Sequence, residues 1–275
     1  MSASADLLVS ATHNGVRTLT MNMPKRLNGW TVEMMAALRA AFLDAAADPQ
    51  VGAVVLTGTD PYYTAGVNLG GTIKLKPPRV LHALIVQHNE ALFANFINFP
   101  KPILAAVNGP AFGAGVTTAT LCDGLIASER ATFSTPFARL GVCPEGCSSI
   151  LFERLMGAQA AERMLGAEGW APTGQEAFDV GLAQWVVPHE TLLERAQAIA
   201  EEWVREGHTR TYRGNATREE LAAVNATESV GVADSFLSAP FLANQARFLW
   251  SRKKRGPAAM FFALKQTRPL WRRFL

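Results

Sequence analysis

Two glycine-bearing segments are the first candidates for chemistry in this sequence. They are Thr64-Ala65-Gly66-Val67-Asn68 and Phe112-Gly113-Ala114-Gly115, and each lies between predicted regular elements. Glycine lets a ligand approach the backbone, and the free N–H groups at the start of a helix attract anions. Two such turns brought together would stabilise a negatively charged oxygen. The alternative is that both are ordinary tight turns.

Several common site types are disfavoured by what these segments lack. A dinucleotide fingerprint would need glycine at position 118, where Thr118 stands, and neither a P-loop nor a G-x-S-x-G nucleophile elbow occurs. The five histidines are scattered, and Cys143 and Cys147 have no second pair at zinc-ligand spacing. We therefore expect no metal site.

The elements that position these segments alternate between strands and helices. Strands are predicted at Val16–Met21, at 53–57 and at Ile103–Val107, followed by a short one at 125–127. Helices are predicted from Thr31, which can act as the N-cap, from about 79 to 96, and from about 113 to 121. This alternation favours an α/β fold with a largely parallel sheet.

From residue 158 the pattern is mostly helical. The helices are predicted at about 160–166, 173–180, 192–206, 218–229 and 240–252. A helical final third on an α/β core suggests a cap, a substrate lid or a surface for oligomers. No internal repeat is present.

Composition sets broad limits on the class of protein. The 275 residues are 49% hydrophobic and 18% charged, as in a globular protein of one domain with at most a small appendage. No apolar run approaches the roughly 20 residues of a membrane span. Three cysteines and the lack of a secretory leader predict a reducing, cytoplasmic setting.

The charge pattern is weakly basic. A net charge of +3 gives no reason to expect a nucleic-acid partner. The basic runs at 252–255 and 272–273 are either a solvated tail or anion contacts, and the sequence leaves both readings open.

Four motifs in fixed order resemble those of the crotonase (enoyl-CoA hydratase/isomerase) superfamily. They are Met23-Pro24-Lys25-Arg26-Leu27-Asn28, Tyr63 to Leu69, Lys101 to Gly115, and Cys122-Asp123, within a match that spans about residues 7–255. Further segments at 131–137, 140–141, 144–149, 220–226 and 248–253 resemble the peroxisomal-type Δ3,Δ2-enoyl-CoA isomerases. The chain ends in Arg273-Phe274-Leu275, which is not a peroxisomal serine-lysine-leucine address. We therefore expect the cytoplasm, and the peroxisome and the mitochondrial matrix stay open as alternatives.

The resemblance implies a crotonase-like spiral of ββα turns over residues 1–200. It also implies a helical region over 201–275 that makes trimers or pairs of trimers, with a short extension after about 255. The substrate it implies is an acyl-CoA. Coenzyme A would enter as part of that substrate.

The resemblance also implies roles for individual residues. The oxyanion donors would be the backbone N–H groups of Val67 and Ala114. The two glutamates with which related hydratases activate water fall on Thr117 and Phe137, so hydration should be weak or absent. Glu145, beside Gly146, is the remaining carboxylate in a motif position, and in a partly apolar pocket its pKa would rise to suit a base. Its structural alternative is a carboxylate at a helix N-terminus.

Substrate contacts carried over from the family are spread along the chain. Lys25 or Arg26 would lie near the pantetheine and phosphates, Ala65 near adenine, and Phe248 and Lys253 would complete the site. The other residues expected to line the substrate are Thr64, Gly66, Asn68, Leu69, Gly113 and Phe137. The family often has aspartate where Asn68 stands.

These features predict an isomerase that shifts the double bond of a 3-enoyl-CoA to give trans-2-enoyl-CoA in fatty-acid β-oxidation. Two alternatives remain open at this point. One is another acyl-CoA reaction of the superfamily, such as hydration, hydrolysis or decarboxylation, and the other is a non-catalytic acyl-CoA-binding module.

Overall fold

A computed structural model describes residues 7–67 and 76–275 of the chain. Its strands are β1 (Leu8–His13), β2 (Val16–Met21), β3 (Ala53–Gly58), β4 (Ile103–Val107), β5 (Ala111–Phe112), β6 (Gly124–Ser128), β7 (Phe133–Ser134) and β8 (Trp185–Val187). Six of them form one sheet in the order β1-β2-β3-β4-β6-β8, and β5 pairs with β7 in a second, small sheet. No helix in the described ranges is long and apolar enough to cross a membrane.

Ten α-helices complete the described part of the chain. They are α1 (Val32–Ala47), α2 (Pro78–Ile97), α3 (Ala114–Thr120), α4 (Phe137–Leu140), α5 (Ser148–Leu165), α6 (Gly174–Asp179), α7 (Leu192–Glu206), α8 (Arg218–Phe236), α9 (Ala239–Ser251) and α10 (Arg255–Trp271). The last three follow one another at the C-terminal end, as the helical pattern predicts.

The large sheet is mixed rather than wholly parallel. β1 and β2 form an antiparallel hairpin, and every later pair is parallel. Strands β3, β4 and β6 are buried along their whole length, as expected of parallel strands covered on both faces. Helix α7 packs on one face through Leu192, Ala196 and Ala200, and the opposite face contacts the core that includes α1, α2 and α3.

Most predicted elements are present with small shifts of their ends. Thr31 caps α1, and its side chain accepts a hydrogen bond from the Met34 amide. The sequence pattern found only the second half of α5, because Gly157 interrupts it with φ +80°. It missed β1, which is exposed along most of its length and lacks an alternating pattern.

Beyond residue 255, where the sequence predicts a short extension, the chain forms one further α-helix. Residues 255–271 form helix α10, which buries Ala258, Phe261 and Leu264 in a cluster with Phe241 and Leu242 of α9. The apolar spacing along this segment is that of a packed helix. The C-terminal end is therefore part of the folded body.

Candidate active site

The first glycine-bearing loop is anchored from within by the buried Thr64. Its Oγ1 donates to the Asn28 carbonyl (2.7 Å) and accepts from the Gly66 amide (3.1 Å). Its own carbonyl accepts from the Phe112 amide at 3.0 Å, which ties this loop to the second one. The Gly66 carbonyl in turn accepts from the Trp30 amide (2.8 Å). Thr64 therefore fixes the loop on both sides.

The two loops approach so closely that glycine is required in each. A β-carbon on Gly66 would lie 2.6 Å from the Phe112 carbonyl oxygen and 3.9 Å from the Gly113 nitrogen, and Gly66 also has φ +76°. A β-carbon on Gly115 would overlap the side chain of Thr64. The sequence prediction that these two turns come together is met.

The amides of Val67 and Ala114 are left without partners in these adjoining loops. Ala114 is the first residue of α3, where a backbone N–H has no acceptor within the helix. Within residues 7–67 and 76–275 neither amide donates a hydrogen bond, whereas the neighbouring Gly113 amide donates to the Ser134 carbonyl at 2.8 Å. The loops thus present two free donors that an anionic oxygen can bind.

Two buried asparagines hold the chain that leads into the first loop. Asn28 donates to the carbonyls of Thr59 and Tyr62, each at 2.7 Å. Asn108, at the end of β4, accepts from the Gly58 amide at 3.2 Å and donates to Asp60 at 2.8 Å. Together they tie residues 58–62 to neighbouring segments, which stabilises the approach to Thr64.

Glu145 lies in a tight turn that packs against the helix carrying Ala114. Gly146 has φ +66°, and a β-carbon there would lie 2.5 Å from Phe93 Cε1 and 2.6 Å from Thr117 Oγ1. Thr117 belongs to α3, which begins at Ala114. The turn therefore places Glu145 beside the helix that supplies the second free amide.

The electrostatic setting of Glu145 suits proton transfer. Burial raises the pKa of its carboxyl to about 8, and the negative charge of Glu228 adds to the effect. The side chain is half-buried, and its carboxylate has no hydrogen-bond partner among the described residues. A carboxyl with such a pKa can take and return a proton near neutral pH.

The two positions at which related hydratases carry glutamate hold no acid here. Thr117 is fully buried, with its hydroxyl 3.4 Å from the Ala114 carbonyl. Phe137 is 4% exposed at the start of α4. Neither side chain can activate a water molecule as a base.

The expected substrate-binding residues fall into two groups. Lys25 and Arg26 are exposed in a 3-10 turn, and the next residue, Leu27, accepts a hydrogen bond from the Ala65 amide at 2.9 Å. This places them next to the first loop. Phe248, which is 54% exposed on α9, and the exposed Lys253 have no hydrogen bond to either loop within the described ranges. Asn68 and Leu69 lie outside the described residues.

Sequence reasoning assigned no role to Asn28, Asn108 or Glu228. The two asparagines had a visible signal, because a polar residue at the end of a buried strand or in a turn commonly binds backbone groups. Glu228 had none, since it lies 81 positions from the Cys147 amide that it binds. Its contact depends on the tertiary fold.

Comparison with known proteins places this chain in a family. Residues 11–255 match the family model described as Enoyl-CoA hydratase/isomerase. The chain belongs to the enoyl-CoA hydratase/isomerase family. The predicted resemblance to crotonases and the predicted crotonase-like fold are both confirmed. The family includes hydratases as well as isomerases, so membership alone leaves the reaction open.

Relatives of this family member include two delta isomerases and a solved structure. It is similar to human Enoyl-CoA delta isomerase 2 (35% identical over 245 residues, 82% of this chain and 59% of the relative). It is similar to mouse Enoyl-CoA delta isomerase 3, peroxisomal (38% over 191 residues, 68% and 59%). The crystal structure of an enoyl-CoA hydratase/isomerase from Pseudoalteromonas atlantica T6c is 29% identical, with a TM-score of 0.75, over 89% of this chain and 97% of the other. The chain thus spans less than two thirds of the length of the two isomerases.

Proposed function

We propose that this protein is a Δ3,Δ2-enoyl-CoA isomerase, which converts 3-enoyl-CoA into trans-2-enoyl-CoA in fatty-acid β-oxidation. The observation that carries the proposal is Glu145, a carboxyl with a raised pKa on a turn packed against the helix that begins with the free Ala114 amide. Thr117 and Phe137, at the hydratase glutamate positions, favour isomerisation over hydration. The names of the two isomerase relatives agree with this choice.

The two loops activate the thioester. Its carbonyl oxygen binds between the backbone N–H groups of Val67 and Ala114, which form the oxyanion hole. When negative charge develops on that oxygen, each preorganised donor lowers the barrier by roughly 3 kcal/mol. Both donors belong to the main chain, so they are present at every pH.

Glu145 moves a single proton in two steps. In its ionised form it removes a proton from C2, and the electron pair of that C–H bond delocalises into a dienolate whose charge rests largely on the thioester oxygen. The protonated carboxyl then gives the proton to C4. Electrons return from the oxygen as the C2–C3 double bond forms, so product and substrate have the same composition. No cofactor enters this balance.

The surroundings of Glu145 make it a stronger base than an exposed glutamate. A C2 proton next to a thioester is a weak acid, so transfer to an ordinary carboxylate is unfavourable. A pKa of about 8 reduces the difference in pKa between the C2 proton and the base. At neutral pH it still leaves Glu145 ionised in a fraction of the protein molecules. The half-buried position also limits access of water to the base.

The remaining contacts of the substrate are part of the same proposal. Lys25 and Arg26 bind the pantetheine and phosphate region, since both are exposed on the turn that holds the first loop. The Ala65 backbone contacts adenine, and Phe248 and Lys253 complete the site. We also propose that the C-terminal helices form a homotrimer. Sedimentation measures the oligomeric state, and a stable monomer would count against the trimer.

A panel of CoA thioesters tests the reaction assignment. Purified protein is given 3-enoyl-CoA, trans-2-enoyl-CoA, a saturated acyl-CoA and a β-branched acyl-CoA, and products are separated for double-bond shift, hydration and thioester cleavage in parallel. We expect trans-2-enoyl-CoA from the first substrate and little 3-hydroxyacyl-CoA from the second. Hydration, hydrolysis or decarboxylation as the main activity would overturn the proposal, and tight binding without turnover would indicate a binding module.

A further inference from the structure

Two side chains of helix α8 bind the turn that carries Glu145. Its Ser235 Oγ accepts from the Cys143 amide at 3.2 Å, before Glu145. After Glu145, the Glu228 carboxylate accepts from the Cys147 amide at 2.6 Å and from the Ser149 amide at 3.0 Å. The helix therefore holds the turn on both sides of the base.

Glu228 takes the place of a missing local cap. Cys147, the N-cap residue of α5, makes no side-chain capping bond, so the first amides of α5 need another acceptor. Each Glu228 oxygen accepts from one of these amides, an arrangement that only the ionised form satisfies fully. The positive end of the helix dipole favours the same charge. Glu228 is 7% exposed, and this burial raises the pKa of its carboxyl while the amide bonds oppose the rise.

The backbone of Glu228 is itself fixed by its neighbours on α8. The Asn225 side chain donates to the Glu90 carbonyl of α2 at 3.0 Å, and Asn89 of α2 donates to Ser229 Oγ at 3.1 Å. Glu228 is thus held from α2 while it holds the start of α5. Its geometry is determined before any substrate binds.

Within residues 7–67 and 76–275, the titratable groups that face this pair carry no positive charge. The groups facing Glu145 and Glu228 are the thiols of Cys143 and Cys147, both of which have raised pKa values because of burial. Among the described residues no arginine, lysine or histidine forms an ion pair with either carboxylate. In the described part of the chain, backbone amides and the helix dipole are the groups that balance the charge of Glu228.

We propose that Glu228 is the positioning residue of this active site, which fixes the turn carrying Glu145 and places a second carboxylate next to the base. This inference rests on the proposed isomerase function, in which Glu145 is the base. Glu228 itself does not touch the reacting atoms. It increases the basicity of Glu145 and holds the carboxylate in the orientation that the turn dictates.

The experiment combines a titration with kinetics. Protein labelled with [13C]glutamate at the side-chain carboxyl is titrated by NMR, and the Glu145 signal is assigned from its loss in Glu145→Gln. In Glu228→Gln, which keeps the size but removes the charge, we expect the Glu145 midpoint to fall by roughly one pH unit. For turnover of 3-enoyl-CoA we expect kcat to fall by about tenfold to a hundredfold with little change in KM, because the base is displaced.

Two further variants keep the test decisive. Glu220→Gln removes another carboxylate from α8, one that pairs with Arg154 and makes no hydrogen bond to the turn among the described residues. In this variant the Glu145 midpoint and kcat should stay close to those of the unmodified protein. Glu228→Asp keeps the charge but shortens the side chain, so we expect it to preserve most of the raised midpoint while lowering kcat.

An unchanged Glu145 midpoint in Glu228→Gln, or an equal shift in Glu220→Gln, would overturn the proposal. If Glu228→Gln does not fold, Glu228→Asp is the deciding variant. An ordinary carboxyl midpoint for Glu145 or an unchanged kcat in Glu228→Asp would contradict the proposal. Absence of double-bond shift in the unmodified protein would count against the isomerase function instead. The NMR midpoints still report on Glu228 in that case.

Discussion

The two halves of the candidate site are built in different ways. In the proposed mechanism the two loops act through backbone N–H groups. Their shape requires glycines and a threonine within the loops, and Thr64 also donates to the Asn28 carbonyl of another segment. The Glu145 turn uses a side chain, and its shape depends on Glu228 and Ser235, 79 to 92 positions away from the residues they bind. Both halves depend on contacts between distant segments, but the residue types that the backbone half requires lie in the loops themselves, whereas the partners of the Glu145 turn lie on another helix.

The difference extends to electrostatics. Main-chain donors do not titrate, so the loops work equally at all pH values. Glu145 titrates near pH 8 because of burial and of Glu228. Each prediction below perturbs one half of the site and leaves the other intact.

Among changes that leave the Glu145 carboxyl in place, breaking the backbone half should have the largest effect. In Gly66→Ala the new methyl group would lie 2.6 Å from the Phe112 carbonyl oxygen, so the loops must separate and the donors move. Loss of an oxyanion donor lowers kcat by about 100- to 1000-fold. Steady-state kinetics of double-bond shift give the measurement. Gly169→Ala is the matched control, because Gly169 also has positive φ (+61°) but its added methyl meets nothing within 4 Å; an equal loss in both variants would mean that strain alone is responsible.

The side-chain half should determine how kcat/KM depends on pH. The base acts in its ionised form, so kcat/KM should rise with pH and level off above the Glu145 pKa of about 8. At pH 6 about one hundredth of the plateau value is expected, since kcat/KM follows the ionised fraction of the free protein. A pH–rate profile between pH 5 and 10 measures this. A plateau already reached at pH 6 would show that the base is an ordinary carboxylate.

Displacing the Glu145 turn should have a smaller effect than displacing the loops. In Gly146→Ala the methyl group would press on Phe93 and Thr117, and positive φ adds strain. We expect kcat to fall by about tenfold, because a misplaced group loses part of its orientation advantage. Kinetics at the pH plateau, with KM as the internal comparison, provide the measurement. A change confined to KM would indicate that the turn contacts substrate rather than positioning the base.

The side-chain half should also affect stability. The folded pKa of Glu145 lies above its ordinary value of 4.5, so the folded state binds more protons than the unfolded state between about pH 4.5 and 8. The contribution of Glu145 to the free energy of unfolding is therefore fully present below about pH 4.5 and is lost as the pH rises through 8. Glu145→Gln does not titrate, so relative to the natural protein it should gain a few kcal/mol of unfolding free energy between pH 5 and 9. Thermal melting of both proteins across that range measures it; a constant difference in Tm would contradict the raised pKa.

Sequence predicted the fold where patterns are local. The buried strands Val16–Met21 and Ile103–Val107 and the Thr31 cap follow from apolar runs and a capping residue, and the structure has them at those positions. β8 and α10 were missed or described only as an extension. The first is a three-residue strand, and the second has a proline inside its helical pattern at Pro269.

The residues of the candidate site also differ in whether the sequence could identify them. Gly66, Gly113 and Gly115 could be recognised because backbone requirements are visible in residue type. The importance of Glu145 came from motif resemblance, and its partner Glu228 could not be found in this way because nothing near it in the sequence marks it. The contact between α8 and the start of α5 exists only once both helices have packed.

The central claim is that Glu145 is the single base working beneath a backbone oxyanion hole. Its most direct test is kcat for double-bond shift in Glu145→Gln, measured at pH 9 on 3-enoyl-CoA with binding of the CoA thioester measured in parallel. We expect kcat to fall by about 100- to 10,000-fold with binding retained, since the amide keeps the shape of the side chain but cannot accept the proton. Near-normal turnover in Glu145→Gln would contradict it.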